Sequence, residues 1–168
     1  MLEIGSGTGQ HAIYFATQMP HLVWHTSDRA ANHADINGWL AKAGLANTRA
    51  PLSLDVATSA WPSLAVDAVF SANTAHIMSW EAVTMLFSGV GRLLSPNGLF
   101  LLYGPFNYDN RYSSESNRYF DQRLKQRDSQ SGIRDFEALD ALARQAGMVL
   151  QQDDQMPANN HLLCWRKC

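Results

Sequence analysis

The chain is short of cysteine, of charge imbalance and of long apolar runs. Its two cysteines, Cys164 and Cys168, sit at the C-terminal end without Cys-x-x-Cys spacing. That argues against both a disulfide scaffold and a zinc site. His21 and His25 lie four apart on a strand-like segment, which gives no helical ligand geometry, and no metal is expected. No apolar run approaches the ~20 residues of a membrane span. The 13 Lys and Arg nearly balance the 15 Asp and Glu, for a formal net charge of -2. Duplex nucleic acid is therefore not an expected partner. The first residues lack the basic, apolar, small-residue order of a secretory signal, and a cytoplasmic location is expected.

What is present reads as one folded domain over residues 1–168. Apolar residues make up 46% of the 168 and charged residues 17%, enough for one core without staples. Short apolar runs alternate with helix-period segments, the pattern of a parallel sheet covered by helices. Strands are predicted at Leu2–Ile4, Leu22–Thr26, Leu52–Leu54, Val66–Ser71 and Leu99–Tyr103. Helices are predicted over 11–19, 31–43, 81–94 and 135–146, with a tight turn at Ser95-Pro96-Asn97-Gly98. Residues 105–134 are polar and read as an irregular insert whose charged stretch, Arg118 to Arg127, is a solvated face. Met148–Gln152 and His161–Trp165 read as an antiparallel pair. The chain begins inside its first strand, and a segment ahead of that strand is expected to be missing.

The most informative stretch is Glu3-Ile4-Gly5-Ser6-Gly7-Thr8-Gly9-Gln10-His11. Glycines between a strand and a helix permit positive φ and a close ligand approach. The helix start behind them offers free N–H groups. A dinucleotide fingerprint would need glycine at position 10, where this chain has Gln10. Asp28 ends the second strand, 19 residues past Gly9. It is placed to accept hydrogen bonds from ribose hydroxyls, or else to cap the helix that follows. Asp55 ends the third strand, where it could meet an exocyclic amino group while Val56 packs on the ring. Together these residues put a nucleoside across the carboxyl ends of the strands.

At these residues the chain resembles the class I S-adenosylmethionine-dependent methyltransferases. More narrowly it resembles the methyltransferase-like family called domain of unknown function 938. The narrower likeness rests on the glycine stretch, Ser71-Ala72-Asn73-Thr74-Ala75-His76-Ile77, Tyr103-Gly104-Pro105-Phe106, Arg134-Asp135-Phe136-Glu137 and Met156-Pro157-Ala158-Asn159-Asn160. The resemblance implies a Rossmann-like, doubly wound α/β fold, with a mostly parallel seven-stranded sheet ending in an antiparallel hairpin. It implies S-adenosyl-L-methionine as cofactor and S-adenosyl-L-homocysteine as product but no substrate; a small-molecule methyl acceptor is the leading hypothesis. The expected cofactor residues are Glu3, Gly5, Ser6, Gly7, Gly9, Asp28, Asp55, Val56 and Asn73. The expected catalytic residues are Asn73, His76 and Tyr103, beyond the fourth and fifth strands; Asn107 and Tyr108 read as exposed loop residues, with a lid as the alternative. Trp61 is the tryptophan placed nearest an adenine. A non-catalytic binding module and a nicotinamide dehydrogenase are the competing readings.

Overall fold

The computed structural model describes residues 1–58 and 61–168. Strand β1 (Leu2–Ile4) leads into helix α1 (Gln10–Gln18), β2 (Trp24–Asp28), α2 (His33–Ala43) and β3 (Thr48–Ser53). Then come β4 (Val66–Ala72), α3 (Trp80–Leu93), β5 (Leu94–Gly104) and the short β6 (Phe106–Asn107). Helix α4 (Glu115–Arg127), β7 (Arg134–Asp135), α5 (Phe136–Gln145), β8 (Met148–Met156) and β9 (Asn160–Lys167) complete the chain. Seven strands form one sheet in the order β3-β2-β1-β4-β5-β9-β8, while β6 and β7 make a separate two-stranded ribbon. Neighbours from β3 to β5 are parallel, and β9 runs antiparallel to both β5 and β8. The order reverses between β1 and β4, which opens a crevice at their carboxyl ends.

Period-2 alternation sends side chains to two faces. Leu2, Ile4, Val69, Phe100 and Leu102 meet α3 and α5 on one face. Trp24 and Phe70 meet Ala12 and Ala16 of α1 on the other, with Leu40 of α2 packed beside them. The first face carries the larger core. There Phe87, Phe100 and Trp165 are fully buried, with ring centroids 5.2–5.7 Å apart.

Four departures from the sequence reading have physical causes. Strand β3 starts at Thr48, four residues before the predicted run, because pairing with β2 recruits the polar segment Thr48-Arg49-Ala50. The Ser95–Gly98 turn lies inside β5 as an irregularity in its pairing with β4, with Asn97 at φ 65°. The predicted irregular insert contains α4, which is capped by Ser114 accepting from the Asn117 N–H. That helix is not wholly a solvated face, because Asp121 is 1% exposed. Burial pushes the Asp121 carboxyl up, but hydrogen bonds from Lys125, the Tyr112 hydroxyl and the Ile133 N–H together hold it below the usual range. Helix α4 is thereby fastened to the chain leading into β7. Among the described residues, no helix is long and apolar enough to cross a membrane.

The aromatic trio dominates the main core. Phe100→Ala is expected to cost about 3–5 kcal/mol of stability, while Val149→Ala on the exposed side of β8 stays within about 0.5 kcal/mol. Urea unfolding midpoints with unchanged m-values check both.

Candidate active site

The glycine turn is held by its neighbours rather than by strand pairing alone. β1 pairs with β2 at a single register position, Leu2 with His25. Beyond it the Gly5 and Ser6 N–H groups both donate to the Ser27 carbonyl at 3.0 Å. The Ser27 N–H donates to Ser6 Oγ at 3.1 Å, and Ser27 Oγ donates to the Glu3 carbonyl at 2.7 Å. On the other side Ser71 Oγ donates to the Ile4 carbonyl at 2.8 Å and lies 2.7 Å from Thr74 Oγ1. Two buried serines on flanking strands thus satisfy the last carbonyls of β1, so the chain can leave the sheet there without orphaned acceptors.

The three glycines have different jobs. Gly5 (φ 76°) faces Thr74, where a Cβ would lie 2.6 Å from Thr74 Cγ2. Gly7 (φ 59°) has no neighbour within 4 Å of an added Cβ and borders open space. Gly9 (φ 86°) caps α1 and lies 3.4 Å, measured from an added Cβ, from the Ile36 backbone of α2. It brings the helices together and does not line the crevice, contrary to its expected cofactor role.

The crevice is a cavity of about 610 Å³ between the ends of β1, β2 and β4 and the chain just past β3. Its volume is within the range of small-molecule sites. Gly5, Ser6 and Gly7 line it, as do Asp28, Asp55, Val56 and Asn73. Asp28 aims at the turn: its Oδ2 accepts from the Gly7 N–H at 2.8 Å. Its Oδ1 accepts from the Arg29 N–H at 2.7 Å and from Asn32 Nδ2 at 2.9 Å. A carboxylate offers about four lone-pair sites, so room for a further donor remains. Asp55 is exposed, with Oδ1 accepting from the Ala57 N–H at 3.0 Å in a local turn. Val56 is buried beside it. Asn73 holds φ 57°, a left-handed conformation that asparagine tolerates better than most residues, and its N–H donates to the Tyr103 carbonyl.

Five residues expected at or near the site lie elsewhere. Glu3 alternates with Ile4 and so faces α1, not the crevice. There its Oε2 accepts from Trp24 Nε1 at 3.1 Å, and its Oε1 lies 3.7 Å from His11 Nδ1. Tyr103 alternates with Leu102 and packs in the α1-face cluster. His76 sits in a short turn after β4 with its ring edge-on to Phe120 of α4, centroids 5.2 Å apart. Tyr108 stacks on Phe136, and its hydroxyl donates to Asp153 Oδ2 at 2.8 Å. Trp61 rests on Gly89 of α3, leaving no room for a Cβ there.

Residues missed by the sequence reading complete the wall. Gln10 and His11 line it from the first turn of α1, and Asn32, Thr74 and Met78 from the chain beyond β2 and β4. Their signal was positional: two directly follow the glycine turn, and Asn32 lies four residues past Asp28. The Glu3 carboxylate raises the His11 pKa above the ordinary histidine value.

Two outcomes follow from this geometry. Gly5→Ala is expected to destabilise more than Gly7→Ala, and Thr74→Ser, which removes Cγ2 but keeps the hydroxyl, is expected to restore much of the loss. A double-mutant cycle by urea unfolding reads the coupling, expected at about 1–2 kcal/mol. Burial, then the nearby Arg134 charge, lowers the His76 pKa to about 4. Between about 4 and the ordinary 6.5 the unfolded chain binds the proton more readily. Stability therefore falls as pH drops through that window, by an amount of order 3 kcal/mol. His76→Gln should flatten that segment of a stability-versus-pH curve.

Solved structures share this architecture. The chain matches an O-methyltransferase family protein from Burkholderia thailandensis at TM-score 0.88 and 13% identity, covering 99% of this chain and 50% of that one. It matches PigF with SAH at TM-score 0.84 and 16% identity, covering 99% and 49%. It matches the S-adenosylmethionine-dependent methyltransferase SibL in its apo form at TM-score 0.83 and 21% identity, again covering 99% and 49%. The chain spans about half the length of these proteins, and at such identities the likeness is one of fold. A family model described as "Protein of unknown function (DUF938)" matches residues 1–167, and the chain belongs to that family.

Proposed function

We propose that this chain binds S-adenosyl-L-methionine in the crevice and transfers its methyl group to a small-molecule acceptor, leaving S-adenosyl-L-homocysteine. The observation that carries the reading is the Gly7–Asp28 pair. An open, left-handed glycine borders the cavity while a carboxylate at the next strand tip reaches across to its N–H. Asp28 would accept from a ribose hydroxyl through its remaining lone pair. Asp55 would accept from the adenine amino group, and Val56 would pack on the ring. The backbone from Gly5 to Gly7 would bound the amino-acid portion. The lining is mixed, with Asp28 and Asp55 alongside Arg29 and His11, which suits a nucleoside joined to a zwitterionic tail. The solved methyltransferases of like fold, one with SAH, support the same cofactor.

When bound, S-adenosylmethionine supplies an electrophilic methyl carbon on a sulfonium, open to in-line attack by a lone pair of the acceptor. The protein's part is to align the two partners and exclude water. Asn73 stands where β4 gives way to the loop, on the cavity wall. Its amide would orient the acceptor by donating or accepting one hydrogen bond. His76 and Tyr103 take no part in this account, since neither belongs to the cavity wall.

Isothermal titration with S-adenosylhomocysteine is expected to give saturable binding to the wild type. Asp28→Ala should weaken it by at least tenfold. Ligand at a hundred times Kd should stabilise the fold by about 2.7 kcal/mol. Labelled-methyl transfer to a metabolite extract then separates an enzyme from a binding module. A labelled product that Asp28→Ala does not form supports the proposal, and binding without any product contradicts the transfer step.

A further inference from the structure

The cavity wall carries a charged group whose footing lies behind it. His11 stands in the first turn of α1 and lines the crevice. Its side chain is 52% exposed, so one edge of the ring meets the cavity and the other meets the protein. The inner edge carries Nδ1, 3.7 Å from Glu3 Oε1. The ring also lies edge-on to Phe70 of β4, centroids 6.2 Å apart. With Nδ1 turned to Glu3, Nε2 is the nitrogen left for a ligand.

Glu3 gives that orientation a reason. It is 1% exposed, and its Oε2 accepts from Trp24 Nε1 at 3.1 Å. Its Oε1 is buried without a hydrogen-bond partner. A buried carboxylate oxygen left this way is costly unless a cation faces it. Phe70, its register partner on β4, brings no charge. His11 is the cation the structure places there. The Glu3 carboxylate outweighs the partial burial of the ring and raises the His11 pKa. The imidazole thus keeps its proton to higher pH than an isolated histidine while it borders the cavity.

The charges on the wall are divided. Asp28 and Asp55 stand at the end of β2 and just past β3, where the nucleoside is placed, with Arg29 beside them. His11 stands at the glycine turn, where the amino-acid portion is placed. The start of α1 supports it: Gly9 offers no side-chain cap and the first turn holds no acid. The positive end of the helix is therefore left uncovered.

We propose that His11 binds the carboxylate of the cofactor's amino-acid tail, with Glu3 as the positioning residue behind it. This rests on the function proposed above and deepens it. The site would read the tail by charge and favour it over nucleosides that lack an amino acid. The sign of the pH effect follows. Below its pKa the ring is cationic and attracts the carboxylate; above it the ring is neutral and the attraction is lost. By linkage, a bound carboxylate raises the His11 pKa in return, and binding takes up a proton.

The test is isothermal titration with S-adenosylhomocysteine and with 5′-methylthioadenosine, which lacks the amino-acid tail. Both are run from about pH 6 to about pH 8.5, across the histidine range. The Kd for S-adenosylhomocysteine should rise about fivefold or more over that range, with proton uptake seen as a buffer-dependent heat. The Kd for 5′-methylthioadenosine should stay level. His11→Gln, which can still donate a hydrogen bond, should abolish the pH dependence. Glu3→Gln, which keeps an acceptor for Trp24, should move its midpoint to lower pH. Arg29→Gln should leave the dependence in place. A level Kd for S-adenosylhomocysteine overturns the assignment. So does a pH dependence that survives His11→Gln, disappears in Arg29→Gln, or is shared by 5′-methylthioadenosine. If both nucleosides bind alike at every pH, the nucleoside site stands and the role of His11 falls. If neither binds the wild type, the methyl-transfer reading falls and this inference falls with it.

Discussion

Everything at the crevice depends on how the end of β1 is secured. A strand in the middle of a parallel sheet must release its chain into a turn without abandoning its final carbonyls. Here Ser27 and Ser71, fully buried on the two flanking strands, accept that duty through their hydroxyls. Ser27 takes the Glu3 carbonyl and Ser71 the Ile4 carbonyl, at 2.7 and 2.8 Å. Ser6 returns the contact by accepting from the Ser27 N–H. With the backbone fixed this way, Gly5 can lie against Thr74 and Gly7 can face open space. The turn is then a rim tied to both flanking strands by hydrogen bonds at its base.

The rim sets the electrostatics. Asp28 is drawn toward Gly7 by one N–H and fixed from behind by Arg29 and Asn32. A carboxylate so restrained loses little further freedom when a ligand hydroxyl arrives, which is the physical meaning of a prepared site. Helix α4 works on the far side of the β4–β5 edge. Asp121 ties it to the approach to β7, and Arg134 ties β7 to the turn that carries Met78. The insert therefore supports the wall of the crevice from outside, through a chain of hydrogen bonds that ends on cavity-lining backbone.

Much of this was legible in the residues. The apolar alternation gave the parallel sheet and its antiparallel end, because burial on two faces leaves a plain signature. Gly5, Gly7, Asp28, Asp55 and Val56 fell on the cavity wall, because strand ends and turn residues are fixed by local rules. Glu3 and Tyr103 were misplaced for one shared reason. A residue next to the right position on a strand points to the opposite face, and the motif alone does not state the parity. Gly9 answers to the packing of α2, a contact made by Ile36, 27 positions away in sequence. His76 turns toward Phe120, and the overall polarity of residues 105–134 hides both α4 and its buried Asp121, which in sequence looks like any surface acid. Such long-range pairings leave no local trace.

The most direct measurement is a crystal structure of the protein grown with S-adenosylhomocysteine. The account predicts the nucleoside in the crevice, with a ribose hydroxyl on Asp28, the adenine beside Asp55 and Val56, and the amino-acid tail along Gly5 to Gly7. A ligand bound elsewhere, or an empty crevice at saturating ligand with Asp28 engaged only by its own backbone and Asn32, would contradict it.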